Sequence, residues 1–172
     1  MWSRTIPRVE IRDEELVLRP IEPADVDALI MALNDPDIVR FIPGVPSPYT
    51  RADAKAWVRR CAEVWRTGES CPLAIVDAET GELLGSVELH FAGPTVGYWV
   101  TRDARGRGIA TRALKLVCGS APETRPLRLT THPDNHASQR VAEKAGFTRI
   151  GSTADHPAFR DGTRTAALFE LA

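Results

Sequence analysis

The sequence predicts a mixed α+β fold with a mostly antiparallel sheet. Short strand-like segments follow one another in the middle of the chain with turn residues between them, which is typical of an antiparallel meander. Helical spacing of apolar residues appears near both ends, and strand–helix–strand units come late. The regular alternation of a doubly wound dinucleotide-binding sheet is missing. A length of 172 residues corresponds to one domain, spanning 1–172.

The first half of the chain gives two helices and four strands. Pro20 ends the first strand, and Pro23 occupies the position that helices favour at their start. Thr50 and Asp53 form a near capping box for the second helix, and Gly68 ends it. The predicted elements are a strand at 15–19, helices at 23–33 and 51–67, and strands at 72–77, 83–91 and 95–101.

The second half gives two helices and three strands. One helix follows the glycine- and arginine-rich stretch 105–108 and runs to about Gly119. Another helix ends at Gly146, a residue type that commonly terminates helices. The remaining predicted elements are strands at 127–131, 147–152 and 164–171 and a helix at 137–145.

Composition excludes several classes of function. The formal net charge is −1, so no bulk attraction to nucleic acid or to a membrane surface is expected. No apolar run resembles a signal peptide or a membrane span. Three cysteines lack the spacing of a metal site, which favours reduced thiols in the cytoplasm and no bound metal. The composition leaves open whether the chain forms a homodimer.

The stretch 105–108, Arg-Gly-Arg-Gly, directly precedes a predicted helix. Backbone N–H groups at a helix N-terminus bind phosphate, and glycines let the ligand approach closely. A solvated turn with surface arginines is the alternative. No P-loop motif is present, and the G-x-G-x-x-G fingerprint of nucleotide-dependent oxidoreductases fails at Thr111. The stretch therefore favours a phosphate or pyrophosphate site.

A second motif follows, in which Asn135 leads an amphipathic helix that ends at Gly146 and Phe147. Together with the glycine–arginine loop it resembles the GNAT superfamily of acyl-CoA-dependent N-acyltransferases. Further segments are similar to the Rim-type branch, which acetylates α-amino groups of ribosomal proteins. These segments are LRPIEPADVDAL, NDPDIVRFIP, SPYTRADAKAW, AETGELLGSV and VGYWV. The resemblance covers nearly the whole chain.

The resemblance implies a GNAT-type sheet splayed into a V-shaped cleft between the strands at 95–101 and 127–131. Acetyl-CoA is the implied co-substrate. Its pantetheine arm would pair with the backbone near Val100, and its pyrophosphate would bind the N–H groups from Gly106 to Ala110. The cofactor-binding residues implied are Val100, Arg105, Gly106, Arg107, Gly108, Ile109, Ala110, Thr111, Asn135 and Ser138.

The catalytic residues are less completely defined by the resemblance. Many family members carry a tyrosine acid seven residues after the helix asparagine, where this chain has Ala142. Ser138 is then the candidate to hydrogen-bond the leaving thiolate. Glu88 and His90 are the candidate bases, because they share one face of a strand and Thr95 stands where relatives often have glutamate.

The implied reaction is direct attack of a primary amine on the acetyl thioester in a ternary complex. The acceptor is a small-molecule amine or a peptide α-amine, since no acidic cluster indicates a polycation. Four aromatic residues near the first two helices are expected mostly in the core, with one or two lining the acceptor pocket: Phe41, Tyr49, Trp57 and Trp65. His132 and His136 are expected at the surface. A CoA-binding module without catalysis, acting as a sensor or subunit, is the alternative function.

Overall fold

The computed structural model describes residues 10–121 and 124–172. Its helices are α1 (Val26–Leu33), α2 (Pro36–Val39), α3 (Arg51–Thr67), α4 (Ile109–Ser120) and α5 (His136–Lys144). Its strands are β1 (Ile11–Arg12), β2 (Leu16–Pro20), β3 (Ser70–Asp77), β4 (Leu83–His90), β5 (Thr95–Val100), β6 (Leu127–Thr131), β7 (Thr148–Thr153) and β8 (Ala166–Leu171). Every element expected from the sequence is present.

The eight strands form one sheet in the order β1-β2-β3-β4-β5-β6-β8-β7. All neighbouring strands are antiparallel except β5 and β6, which run parallel. The predicted antiparallel meander is the segment from β2 to β5. Parallel strands need a crossover connection, and here the connection contains α4.

The pairing of β5 with β6 is confined to one end of the two strands. Only Thr95 and Arg128 are in register, and the backbone N–H of Arg128 donates to the carbonyl of Pro94 at 2.9 Å. Beyond this point the two strands separate. The expected splay of the sheet is therefore confirmed.

Each face of the sheet packs against its own helices. On one face Leu73 and Ile75 of β3 pack with Leu114 and Val117 of α4. On the other face Ala74 belongs to the core formed with α1, α2 and α3. Successive side chains of β3 point to opposite faces of the sheet, and both faces are covered by helices. This explains why the sequence of β3 contains a continuous run of apolar residues.

Two short elements fall where the sequence analysis placed loops or made no assignment. β1 is only two residues long. α2 forms because the Asp35 side chain accepts the N–H of Asp37 and Pro36 occupies the first helical position. Within the described residues no helix has the length and apolar character needed to cross a membrane.

Gly85 in β4 is required by close packing of backbone atoms. A β-carbon there would lie 2.2 Å from the carbonyl oxygen of Trp99 and 2.9 Å from the α-carbon of Val100. We expect Gly85→Ala to lower the free energy of unfolding by about 1–3 kcal/mol, the usual cost of overpacking a well-filled site. Urea titration measures this, and Gly119→Ala is the control, because a β-carbon at 119 meets nothing within 4 Å. Equal stability of the two variants would contradict the close packing.

Candidate active site

An open cleft of about 950 Å³ lies where β5 and β6 separate, and α4, α5 and the segment 37–43 also line it. Most of the sequence-predicted site residues meet in this cleft: Glu88, His90, Val100, Arg105, Gly106, Gly108, Ile109, Ala110, Thr111, Asn135 and Ser138. Arg107 is the exception. It is not among the lining residues, and its guanidinium lies 3.9 Å from Asp77.

The backbone conformation of the loop before α4 is that of an anion-binding site. Gly106 and Gly108 have φ of 73° and 77°, a region that favours glycine, and Gly108 is the N-cap of α4. The first N–H groups of a helix lack partners within it and carry partial positive charge. No acidic residue stands in the first turn of α4. These features fit a pyrophosphate.

Arg102 and Arg105 tie this loop to α2. Arg102 donates to Asp35 at 3.1 Å and to Asp37 at 3.2 Å, whereas Arg105 lies 3.5 Å from each carboxylate. Partial burial acts to raise the pKa of Asp35, but its hydrogen bonds from Arg102 and from the N–H of Asp37, together with the positive charges of Arg102 and Arg105, lower the net pKa. The two carboxylates near the phosphate loop are therefore ion-paired, which limits their repulsion of an anionic ligand.

The edge of β5 that faces the cleft is open beyond Thr95. Its opposite edge pairs with β4 along the whole strand, up to the pair Val100 and Gly85. Because β6 has diverged, the cleft-side N–H and C=O groups near Val100 can accept an extended ligand as an added strand would. The position matches the implied contact with the pantetheine arm.

Asn135 caps α5 and orients Ser138. The Asn135 side-chain oxygen accepts the backbone N–H of Ser138 at 3.1 Å, and Asn135 and Ser138 both line the cleft. Asn135 is thus the N-cap of α5, a role that is compatible with a ligand contact.

Tyr98 on β5 is a site residue that sequence reasoning missed. Its hydroxyl lies 2.8 Å from the Ser138 hydroxyl and donates to the Ser138 carbonyl at 3.0 Å. Burial raises the pKa of Tyr98 to about 12, so the phenol stays protonated at neutral pH. A tyrosine hydroxyl therefore stands beside Ser138, although position 142 holds a fully buried alanine.

Glu88 and His90 lie on the opposite face of the sheet from Tyr98. Glu88 is paired with Gly97 and His90 with Thr95, so their side chains share the face covered by α3. The buried Ser70 hydroxyl donates to Glu88 at 2.6 Å, and the Nε2 atom of His90 lies 3.7 Å from the same oxygen. The two candidate bases are brought together.

The aromatic residues divide as expected from the sequence. Tyr49 and Trp65 are buried in the core, while Phe41 and Trp57 line the cleft. The loop between β7 and β8 closes over this end of the cleft, and the Arg160 guanidinium donates to the Val45 carbonyl at 2.9 Å. This end of the cleft therefore has an apolar, aromatic wall.

The expectation that His132 lies at the surface is wrong, whereas His136 is exposed as expected. His132 is only 3% exposed and packs edge-on against Phe159, with ring centroids 4.8 Å apart. Its Nδ1 accepts the N–H of Asp134, so its Nε2 carries the proton and donates to Asp161 at 3.1 Å. His132 thus links the segment before α5 to the β7–β8 loop.

Comparison with known families and structures agrees with this geometry. The acetyltransferase (GNAT) domain family matches residues 15–148. The chain belongs to the GNAT acetyltransferase family. It is an acetyl-CoA-dependent N-acetyltransferase. Among the described residues no group of three or more His, Cys, Asp and Glu side chains could hold a metal ion.

Several solved GNAT structures share the fold at low sequence identity. Mycobacterium smegmatis RimJ in complex with CoA-disulfide has a TM-score of 0.82 and 21% identity, covering 95% of this chain and 85% of that one. The Salmonella typhimurium acetyl transferase that modifies the N-terminal serine of ribosomal protein L7/L12 has a TM-score of 0.81 and 18% identity, with 95% and 98% covered.

A third structure is the microcin C7 self-immunity acetyltransferase MccE in complex with acetyl-CoA and AMP. Its TM-score is 0.82 and its identity 15%, with 93% of each chain covered. No curated protein sequence matches this chain. The comparisons therefore establish the family and the fold, and they leave the acceptor to be argued from the site.

Proposed function

We propose that this enzyme acetylates a peptide or protein α-amine that approaches the thioester from the face of β4 and β5 covered by α3. The observation that supports the proposal is that two pairs of polar side chains lie on opposite faces of the sheet at β5. Glu88 and His90 lie on one side, and the Tyr98–Ser138 pair lies on the other. An amine and a leaving thiolate need such opposed groups, one to take a proton and one to supply a hydrogen bond.

The end of the cleft next to α4 offers backbone and side-chain groups that would bind acetyl-CoA. The N–H groups at the start of α4 would hold the pyrophosphate, with Arg105 and the Thr111 hydroxyl beside them. The open edge of β5 at Val100 and the amide nitrogen of Asn135 would hold the pantetheine arm. Arg107 is assigned to this site through its backbone alone, because its side chain points to Asp77.

The transfer needs an amine nucleophile, a base for the amine proton and a hydrogen-bond donor to the leaving thiolate. The neutral amine attacks the thioester carbonyl, the new C–N bond forms and the C–S bond breaks. Glu88, directly or through water, takes the proton from the amine nitrogen, and His90 lies close enough to share it. The Ser138 hydroxyl turns its proton to the departing thiolate, while the Tyr98 hydroxyl, 2.8 Å away, turns its own proton to the serine oxygen.

The charge of the cleft supports a monoamine acceptor. Asp37 and Glu88 are the acidic residues that line it, and Asp37 is paired with Arg102. A polyamine would need more carboxylates than this site offers. One of the structural relatives modifies the N-terminal serine of ribosomal protein L7/L12, which favours a peptide α-amine over a free small amine.

A panel of amines with detection of released CoA thiol tests the proposal. The panel contains short peptides with free α-amines, the same peptides blocked at the α-amine, and small primary amines. We expect turnover of free peptides and none of blocked ones. Turnover of small amines alone would replace the peptide acceptor, and CoA binding without any turnover would favour the sensor alternative.

Burial raises the pKa of each of Cys61, Cys71 and Cys118 to about 12, so protein thiols will contribute little background.

Substitution of the two candidate bases separates their roles. We expect Glu88→Gln to lower kcat/KM by about 10²–10⁴-fold, because the amide cannot take the proton from the amine. His90→Gln should retain more activity, since the carboxylate is still present. Unchanged kcat/KM in both variants would exclude this pair as the base.

A further inference from the structure

Gly97 is a glycine that the fold itself does not require. It lies in the interior of β5, and a β-carbon built there meets no atom within 4 Å. Its φ lies outside the positive range in which a side chain is strained. The contrast with Gly85 is direct, because a β-carbon at 85 collides with the backbone of Trp99. Glycine within a strand weakens it and often marks close approach of a ligand or backbone.

The space at position 97 lies next to Glu88. The two residues are paired across β4 and β5, so a side chain at 97 would stand beside the Glu88 side chain on the same face of the sheet. The neighbouring positions of β5 on that face both carry side chains, Thr95 opposite His90 and Trp99 opposite Ser86. Gly97 is therefore a gap in this row between Thr95 and Trp99, and it opens into the cleft.

We propose that this gap is the passage through which the acceptor amine reaches the thioester beside Glu88, so that Gly97 determines which acceptors are used. The inference rests on the proposed function, in which Glu88 takes the amine proton. Trp57 and Trp99 line the same cleft, and they would contact the part of the acceptor next to its amine. A peptide α-amine whose N-terminal residue has a small side chain passes such a gap more easily than one whose N-terminal residue is bulky.

Filling the gap in steps tests this passage. Gly97→Ala, Gly97→Val and Gly97→Leu should leave the acetyl-CoA dissociation constant within about twofold, measured by calorimetry, because the ligand-binding N–H groups and backbone are unchanged. The kcat/KM for the best peptide of the panel should fall with side-chain size, reaching about 10²-fold for leucine, since a displacement of about 1 Å can cost that much. Gly97→Ala should melt at or above the wild-type temperature, because alanine restricts the unfolded chain more than glycine does.

Gly119→Ala and Gly119→Leu are the matched controls, since position 119 on α4 is also open and lies outside the cleft. We expect them to leave kcat/KM unchanged. Unchanged kcat/KM in Gly97→Leu would overturn the inference, and so would a parallel loss of acetyl-CoA affinity, which would assign the glycine to the cofactor. If Gly97→Leu lowers the melting temperature, kcat/KM is compared between Gly97→Ala and Gly119→Ala instead. A wild-type enzyme that acetylates no amine would instead refute the proposed function, and this inference with it.

Discussion

Gly108→Asp is expected to abolish the binding of acetyl-CoA. Gly108 has a φ of 77° at the N-cap of α4, where the proposed pyrophosphate site uses the first N–H groups of the helix. Aspartate would place a carboxylate beside a ligand of the same charge. In the wild type, acetyl-CoA at about 100 times its Kd adds about 2.7 kcal/mol to the free energy of unfolding. Differential scanning fluorimetry should show this as a rise in melting temperature that the variant lacks.

The matched control separates charge from backbone strain. Gly81 in the turn between β3 and β4 has a φ of 75° and open space around it, and it lies outside the cleft. Gly81→Asp therefore carries the same conformational cost but leaves the anion site intact. We expect it to lower the melting temperature without acetyl-CoA and to keep the full rise on adding it. A normal rise in Gly108→Asp would show that the pyrophosphate binds elsewhere.

Removing either hydroxyl of the Tyr98–Ser138 pair is expected to lower kcat with little change in acetyl-CoA affinity. A hydrogen bond to the developing thiolate is strongest in the transition state, so its loss appears in kcat. A charge-assisted bond of about 1.5–3 kcal/mol corresponds to about a 10- to 150-fold lower rate. Because the two hydroxyls act as one unit at 2.8 Å, Tyr98→Phe and Ser138→Ala together should cost about as much as one alone.

Tyr49→Phe is the control for the loss of a phenol. Tyr49 is buried in the core against α1 and α3 and does not line the cleft. Single-turnover kinetics with the panel's best peptide measures the chemical step in each variant. A wild-type rate for Ser138→Ala under these conditions would mean that the thiolate leaves without help from this serine.

The fold was largely predictable because local patterns in this chain agree with the final structure. Capping residues and glycine mark the ends of α3 and α5, and the turn at Gly81 marks the β3–β4 hairpin. The splay between β5 and β6 came from the family resemblance rather than from periodicity. α2 was missed because four residues are too few to show a helical period.

The glycine–arginine loop of the proposed cofactor site could be recognised because residues 105–111 are contiguous in the chain. Tyr98 was missed because its pairing with Ser138 is assembled from distant segments. Tyr98 and Ser138 are 40 residues apart and meet only when α5 packs beside β5. His132 and Asp161 are 29 residues apart, and the burial of His132 depends on the returning β7–β8 loop. The sequence around His132 gives no local signal of that contact.

A crystal structure of the enzyme with acetyl-CoA tests the central claim most directly, because it requires no knowledge of the acceptor. We expect the pyrophosphate on the N–H groups between Gly106 and Ala110, and the thioester sulfur within about 3.5 Å of the Ser138 or Tyr98 hydroxyl. The carbonyl carbon should then be open toward Gly97 and Glu88. A thioester placed away from the Tyr98–Ser138 pair, or one closed off from Gly97, would contradict the account.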